Sequence, residues 1–296
     1  MYLDFFSLKE APFSVGNDPR FFFETDIHAE ALANMVYAIT HQKGMVLVTG
    51  EIGSGKTFLA GMLANRLGPG YQVVTIGHPP DSSKQLLRAM AEGLELKVSA
   101  TDDKLTLVKQ LQKGLERFAA RRRPVAVIFD EAQDMPDEAL EEVRLIWNWE
   151  HQGWRLLQVV LVGQPQLRKR LGLSKWESLQ QRIVLSYHLG RLNPLETAKY
   201  VLHRRAVAAV NGSRLRFTIH ALEYIHQVTA GVPRMINVLC DNALLVAYSK
   251  HSSKVTSTMV AQAAREMTTW NNLGPPPGED TSAIRDDATG ADAAAE

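Results

Sequence analysis

Residues Gly50 to Thr57 read GEIGSGKT, which satisfies every fixed position of the phosphate-binding pattern G-x-x-x-x-G-K-[ST]. No other stretch constrains the fold of this chain so strongly. The pattern works only at a sharp turn from a strand into a helix, where backbone N–H groups converge on an anion at the helix N-terminus. The flanking residues meet that demand. Met45-Val-Leu-Val-Thr49 is a short apolar run of the kind a strand buried in a parallel sheet requires. Beyond the loop, Leu59, Met62, Leu63 and Leu67 recur at helical spacing until Gly68-Pro69-Gly70 ends the helix. The glycines let the main chain curl around a triphosphate without Cβ clashes. Gly50, Glu51, Ile52, Gly53, Ser54, Gly55, Lys56, Thr57 and Phe58 are therefore the candidate nucleotide-binding residues. Lys56 suits the β- and γ-phosphates, and the Thr57 hydroxyl suits Mg²⁺.

Strand and helix signals then alternate. Strands are expected at Met45–Thr49, Gln72–Ile76, Val125–Phe129, Leu157–Val162 and Val184–Leu189. One helix carrying Val108, Leu111, Leu115 and Phe118 is expected before the third strand, and another carrying Leu140, Val143, Ile146 and Trp147 after it. Such alternation implies a mostly parallel sheet covered on both faces. After Pro194 only helices are expected, over 196–210, 218–229, 233–249 and 256–269, with Thr218 and Thr256 as N-caps. The chain thus divides into an α/β unit (1–194), a helical unit (195–272) and an acidic tail (273–296). The tail is rich in Pro, Gly, Asp and Ala, without hydrophobic period, and is expected to be disordered.

A second motif joins the first. Val125-Ala-Val-Ile-Phe129 delivers Asp130 and Glu131 to the C-terminal end of a strand, where ligands sit in open α/β sheets. Asp130 is positioned to hold Mg²⁺ with Thr57, and Glu131 to orient and deprotonate an attacking water. Other chemistries find little support. Cys240 is the single cysteine, set among Ile236, Leu239 and Ala243 at helical spacing, so it reads as a buried structural thiol and no internal disulfide can form. The histidines are scattered without zinc spacing. Net charge is +1, but Gly274–Glu296 carries −5 and leaves +6 over the rest. Arg121-Arg-Arg123 suits a helix C-terminus. Arg168-Lys-Arg170 with Arg204-Arg205 would need to converge to form a nucleic-acid groove. There is no basic-then-apolar secretory pattern and no run of about 18 apolar residues.

Taken in order, GEIGSGKT, VAVIFDEAQ, LQVVLVGQPQLR, QQRI and GVPRMINVLCDNALLVAY, with the opening MYLDFFSLKEAPFSVGNDPRFFF, resemble the AAA+ ATPases of the ExeA/GspA type over about residues 1–270. Those are associated with general secretion and pilus systems. The same broad group holds TnsC/TniB-like transposition ATPases and ATPases of exosortase loci. The resemblance implies a P-loop NTPase with a five-stranded parallel sheet, the AAA+ core, followed by a small all-helical lid. It implies ATP and Mg²⁺ as ligands and an ATP-dependent homo-oligomer that couples hydrolysis to assembly or remodelling of a secretion, pilus or export partner. The alternative it carries is an ATP-gated DNA-binding regulator of the transposition type. Gln164 falls at the sensor 1 position, Arg234 in Gly231-Val-Pro-Arg234 at sensor 2, and Arg182 at the finger donated to a neighbouring subunit, with Arg191 its competitor. Pro12-Phe13 and Phe21–Phe23 are candidates to approach the adenine. Phe58 departs from the type, which often carries a small residue there. Members of the type continue into a transmembrane segment and a peptidoglycan-binding region. The acidic tail leads instead to the expectation of a cytoplasmic ATPase, peripheral to the inner membrane through its partner.

Overall fold

The computed structural model describes residues 2–14, 18–210 and 212–271. The acidic tail lies outside the described residues. Five strands build the sheet: β1 (Met45–Gly50), β2 (Gln72–Ile76), β3 (Val125–Phe129), β4 (Leu157–Gly163) and β5 (Ile183–Leu189). Their spatial order is β2-β3-β4-β1-β5, all pairs parallel. The central strands β1, β3 and β4 are buried along their whole length, which is why they read as apolar runs interrupted only by Thr49 and Gln158. The edge strand β5 instead alternates between exposed and half-buried positions.

Helices cover both faces. On one side, α1 (Asp26–Thr40) and α2 (Lys56–Leu67) pack through Leu32, Met35, Leu59 and Leu63 against Val46, Val48, Ile128 and Val160. On the other, α3 (Ser83–Gly93), α4 (Lys104–Ala120), α5 (Asp137–Trp147) and α6 (Pro165–Leu171) pack against Leu47, Val127, Phe129 and Leu161. The periodicity had led to one helix between β2 and β3; the structure has two. The additional one, α3, is capped by the Ser82 hydroxyl accepting from the Gln85 N–H.

Past β5 come α7 (Pro194–Ala208), α8 (Ile219–Thr229), α9 (Pro233–Ser249) and α10 (Ser257–Asn271). Asn193 and Glu196 close a capping box on α7, and Thr218 caps α8 as expected. The Thr256 hydroxyl meets that of Thr258 at 2.8 Å. Cys240 is fully buried in this helical unit, and burial pushes its thiol pKa well above the ordinary value, as a structural thiol requires. The N-terminal segment joins the same cluster: Phe6, Leu8, Phe13 and Phe21 pack with Leu239, Leu244 and Val255 rather than with the sheet.

Candidate functional site

The loop after β1 and the turn after β3 end side by side because β1 and β3 both flank β4 in one parallel sheet. Gly55, in the left-handed region at φ 92°, turns the chain into α2, and Lys56 is the first helical residue. The Lys56 ammonium is buried and donates to the carbonyls of Gly50 and Glu51, each at 2.9 Å. Burial lowers its pKa, and the carboxylates of Glu131, Asp130 and Glu51 oppose that shift. The Thr57 hydroxyl donates to Asp130 Oδ2 at 2.7 Å. Asp130 is itself buried, its N–H held by the Ile76 carbonyl.

Glu131 adopts φ 52°, which an L-residue enters only at a cost of about 1–2 kcal/mol. This backbone aims its carboxylate into a cavity of about 330 Å³ lined on one wall by Gly53 to Phe58. The opposite wall belongs to the helical unit: Tyr200 and Arg204 from α7, Arg234 and Asn237 from α9. The third is aromatic. Phe22 stacks on Phe58 with centroids 4.5 Å apart and rings 3° from parallel, while the His28 ring meets Phe22 edge-on at 5.4 Å. Burial lowers the His28 pKa; its Nδ1 lies 2.6 Å from the Thr25 hydroxyl.

The lid and loop touch directly. A Cβ on Gly53 would lie 2.5 Å from Arg234 Cβ and 3.3 Å from its backbone nitrogen. Gly231, at φ 74°, leaves no room for any side chain: a Cβ there would lie 1.9 Å from the Leu192 carbonyl oxygen. That close approach lets Leu192 N–H bond the Gly231 carbonyl at 2.9 Å, which fixes the start of α9 against the linker leaving the sheet.

An AAA domain family matches residues 39–171. General secretion pathway protein A of Aeromonas hydrophila is 36% identical over 269 residues, covering 90% of this chain and 48% of that protein. The chain belongs to the AAA+ family, in its general secretion pathway protein A branch. It spans about half the length of that curated relative. Solved structures agree on the fold. Cdc6p of Pyrobaculum aerophilum superposes with a TM-score of 0.68 at 13% identity, covering 86% of this chain and 70% of that one. The ORC2 protein of Aeropyrum pernix in its ADPNP–ADP complexes gives 0.64 at 16% identity, with 84% and 72% covered. The RuvB Holliday junction branch migration motor of Thermotoga maritima gives 0.55 at 14%, with 86% and 74% covered.

Within this AAA+ frame the sequence-predicted residues separate into those that meet and those that do not. Ile52 to Phe58, Glu131 and Arg234 share the cavity. Gln164 lies just past β4, outside the lining; its backbone N–H donates to the Gln133 side chain at 2.9 Å. Arg182 sits before the first residue of β5, and Met45 pairs with Ile183, so it is at the end of the sheet away from the loop. There its guanidinium lies 5.7 Å from the centroid of the Trp147 ring and bonds Asn148 Oδ1 at 3.2 Å and the Ser178 carbonyl. Arg191 is exposed at the other end, two residues past Leu189, the partner of Gly50. Phe21 to Phe23 reach the cavity, whereas Pro12 and Phe13 are buried and do not line it.

One arginine in each of the basic runs 168–170 and 204–205 is engaged within the protein. Arg204 is 5% exposed, donating to the Pro12 carbonyl at 2.6 Å and the Ser14 carbonyl at 2.8 Å with its guanidinium 4.8 Å from the centroid of the Phe21 ring. A cation so enclosed cannot meet a duplex. Arg170 is tied to Asp137 and to the Met135 carbonyl. Sequence reasoning missed His28, Gln133, Tyr200, Arg204 and Asn237 as cavity or site residues. None belongs to a local pattern except Gln133, which follows the acidic pair by two positions in DEAQ.

Proposed function

We propose that this chain binds ATP with Mg²⁺ in the loop cavity and hydrolyses it, and that turnover moves the helical lid against the sheet. The observation that carries the reading is the convergence of Lys56, Thr57 and Glu131 on the cavity, with Asp130 bonded to Thr57 behind its wall and Arg234 on the opposite one. The residues fit both ligands. Ser54 Oγ is buried in the loop with no hydrogen-bond partner, a donor that an anion held by the loop could satisfy. Thr57 and Asp130 present hard oxygens 2.7 Å apart, the sparse donor set that Mg²⁺ uses when phosphates and water complete its shell. Bound there, Mg²⁺ would neutralise charge on the β- and γ-phosphates. Among the described residues no group of three or more His, Cys, Asp or Glu forms a separate metal site.

Each residue then has a task. Lys56 leaves the carbonyls of Gly50 and Glu51 for the γ-phosphate and offsets the charge that develops there. Glu131 accepts a proton from the attacking water. Arg234 reads the γ-phosphate from the lid, and Gln164 holds the water from the end of β4. Phe22 and Phe58 supply an apolar face for the base. Arg182 serves a neighbouring copy, because the far end of the sheet is out of reach of its own loop; Arg191 stands on the loop side. We assign the work to assembly or remodelling of a secretion, pilus or export partner, following the relative's name. The burial of Arg204 weighs against the DNA-regulator alternative. Among the described residues no helix is long and apolar enough to cross a membrane. We place the chain at the inner membrane through that partner, again following the relative's name. The sheet with its covering helices, and the helical unit together with the N-terminal segment packed on it, are the two bodies that move.

Steady-state ATP hydrolysis tests this. Lys56→Ala and Glu131→Gln are each expected to lower turnover by 100-fold or more, on the order of a lost charge-stabilising group. Turnover of Lys56→Ala equal to wild type would remove the enzyme reading. A rate per subunit that does not rise with protein concentration would remove the trans role of Arg182.

A further inference from the structure

Gln133 makes a set of contacts that no AAA+ motif assigned above accounts for. Its Nε2 donates to Glu131 Oε2 at 2.8 Å and to Asp134 Oδ2 at 2.8 Å. Its Oε1 accepts from the Gln164 backbone N–H at 2.9 Å. The orientation of the amide is therefore dictated by its neighbours: the carboxylates can only accept and the N–H can only donate, so a flipped amide would lose all these bonds. Its main chain is anchored too, since Arg170 donates to the Gln133 carbonyl at 3.2 Å. Room for the amide comes from Gly163, the last residue of β4. A Cβ at Gly163 would lie 2.8 Å from Gln133 Oε1 and 3.3 Å from its backbone nitrogen.

We propose that Gln133 is the positioning residue for Glu131, its amide bracing the carboxylate against the loop-side end of β4. The proposal rests on the reading of Glu131 as the base. Glu131 is half-buried at the cavity wall, on a backbone forced into the left-handed region, and its side chain has three torsions to fix. Asp130 receives the Glu131 N–H at 2.9 Å but leaves the Glu131 side chain free. Gln133 supplies the one hydrogen bond found on the Glu131 carboxylate among the described residues. Because the same amide is pinned to Gln164 N–H, any shift of the β4 end moves the carboxylate with it. The residue lies outside the cavity lining, so it acts on rate rather than on nucleotide affinity.

The test is steady-state ATP hydrolysis by the full chain, with binding of a fluorescent ATP analogue measured in parallel. Gln133→Met keeps the length and volume and removes every polar atom. Gln133→Glu keeps an acceptor for Gln164 N–H and removes the donor to Glu131. Both are expected to lower kcat about tenfold or more, as loss of a fixed near-attack geometry does, with KM and analogue affinity within about twofold of wild type. Gly163→Ala, which displaces the amide from the other side, is expected to do the same and stands in should either variant fold poorly. Wild-type kcat in Gln133→Met, or a raised KM with kcat unchanged, overturns the proposal. Glu131→Gln, run alongside, separates the two readings. If it is inactive while Gln133→Met is unimpaired, only the positioning role falls. If it turns over normally, the base reading falls and the positioning role with it.

Discussion

Gly53→Ala tests whether the lid rests on the phosphate loop in solution. Two costs add at this position. The first is backbone strain, because φ is 80° and an L-residue there costs about 1–2 kcal/mol. The second is steric. The new methyl would sit 2.5 Å from Arg234 Cβ, and the lid backbone follows at 3.3 Å and 3.5 Å, so no rotamer change relieves the clash. Restoring ordinary contact requires α9 to retreat by about 1 Å, a displacement that costs roughly 100-fold where reacting groups must align. Gly153→Ala is the control. Its φ is also 80°, so the strain is alike, yet a Cβ there would meet nothing within 4 Å and the residue lies outside the cavity. We expect Gly153→Ala to lose stability by about 1–2 kcal/mol in urea melts. Gly53→Ala should lose that much and, in addition, turnover by on the order of 10- to 100-fold relative to Gly153→Ala. If the two variants match in turnover and in nucleotide affinity, the lid does not bear on the loop and the two-wall cavity is wrong.

Two further outcomes follow from the buried polar groups. Arg204→Ala should cost about 2–4 kcal/mol, because it strands the Pro12 and Ser14 carbonyls and removes a guanidinium stacked near Phe21; a urea midpoint unchanged at constant slope would refute it. His28, whose pKa is lowered below its ordinary 6.5 by burial, makes stability depend on pH in one direction. The unfolded chain takes up the proton first as pH falls through 6.5, so stability is full above that value and declines below it, by at most about 1.4 kcal/mol per pH unit. His28→Gln should flatten this acid slope in melts compared at about pH 7.5 and about pH 5.5; an unaltered slope would show that His28 does not titrate on unfolding.

Much of the fold is legible in local pattern. All five strands lie within one residue of their expected ends; the three central ones are plainest because a strand buried on both faces is largely apolar, and a glycine or an acid marks where the apolar run stops. α3 escaped because its buried Leu86, Leu87, Met90 and Ala91 sit amid Lys84, Gln85, Arg88 and Glu92, too short a stripe to stand out from the longer α4. The loop and the acidic pair are legible for a different reason. Phosphate and Mg²⁺ demand glycine, lysine, hydroxyl and carboxylate at set spacings along one strand–loop–helix unit, so the chemistry is written in consecutive residues.

What the sequence determined by itself is therefore the parallel α/β core and one wall of the cavity, since both are signalled by patterns within consecutive residues. The tertiary structure alone decided the other walls. Phe22 meets Phe58, Arg204 reaches back to Pro12, and Arg234 lies over Gly53 across separations of 36, 192 and 181 residues in numbering. It also decided that Arg204 faces inward, that Arg182 stands at the far end of the sheet, and that Gln133 spans Glu131 and the end of β4. No periodicity encodes such pairings. They arise when the apolar face of the lid and the aromatic N-terminal segment bury one another, and the polar groups carried along must find partners wherever that packing leaves them.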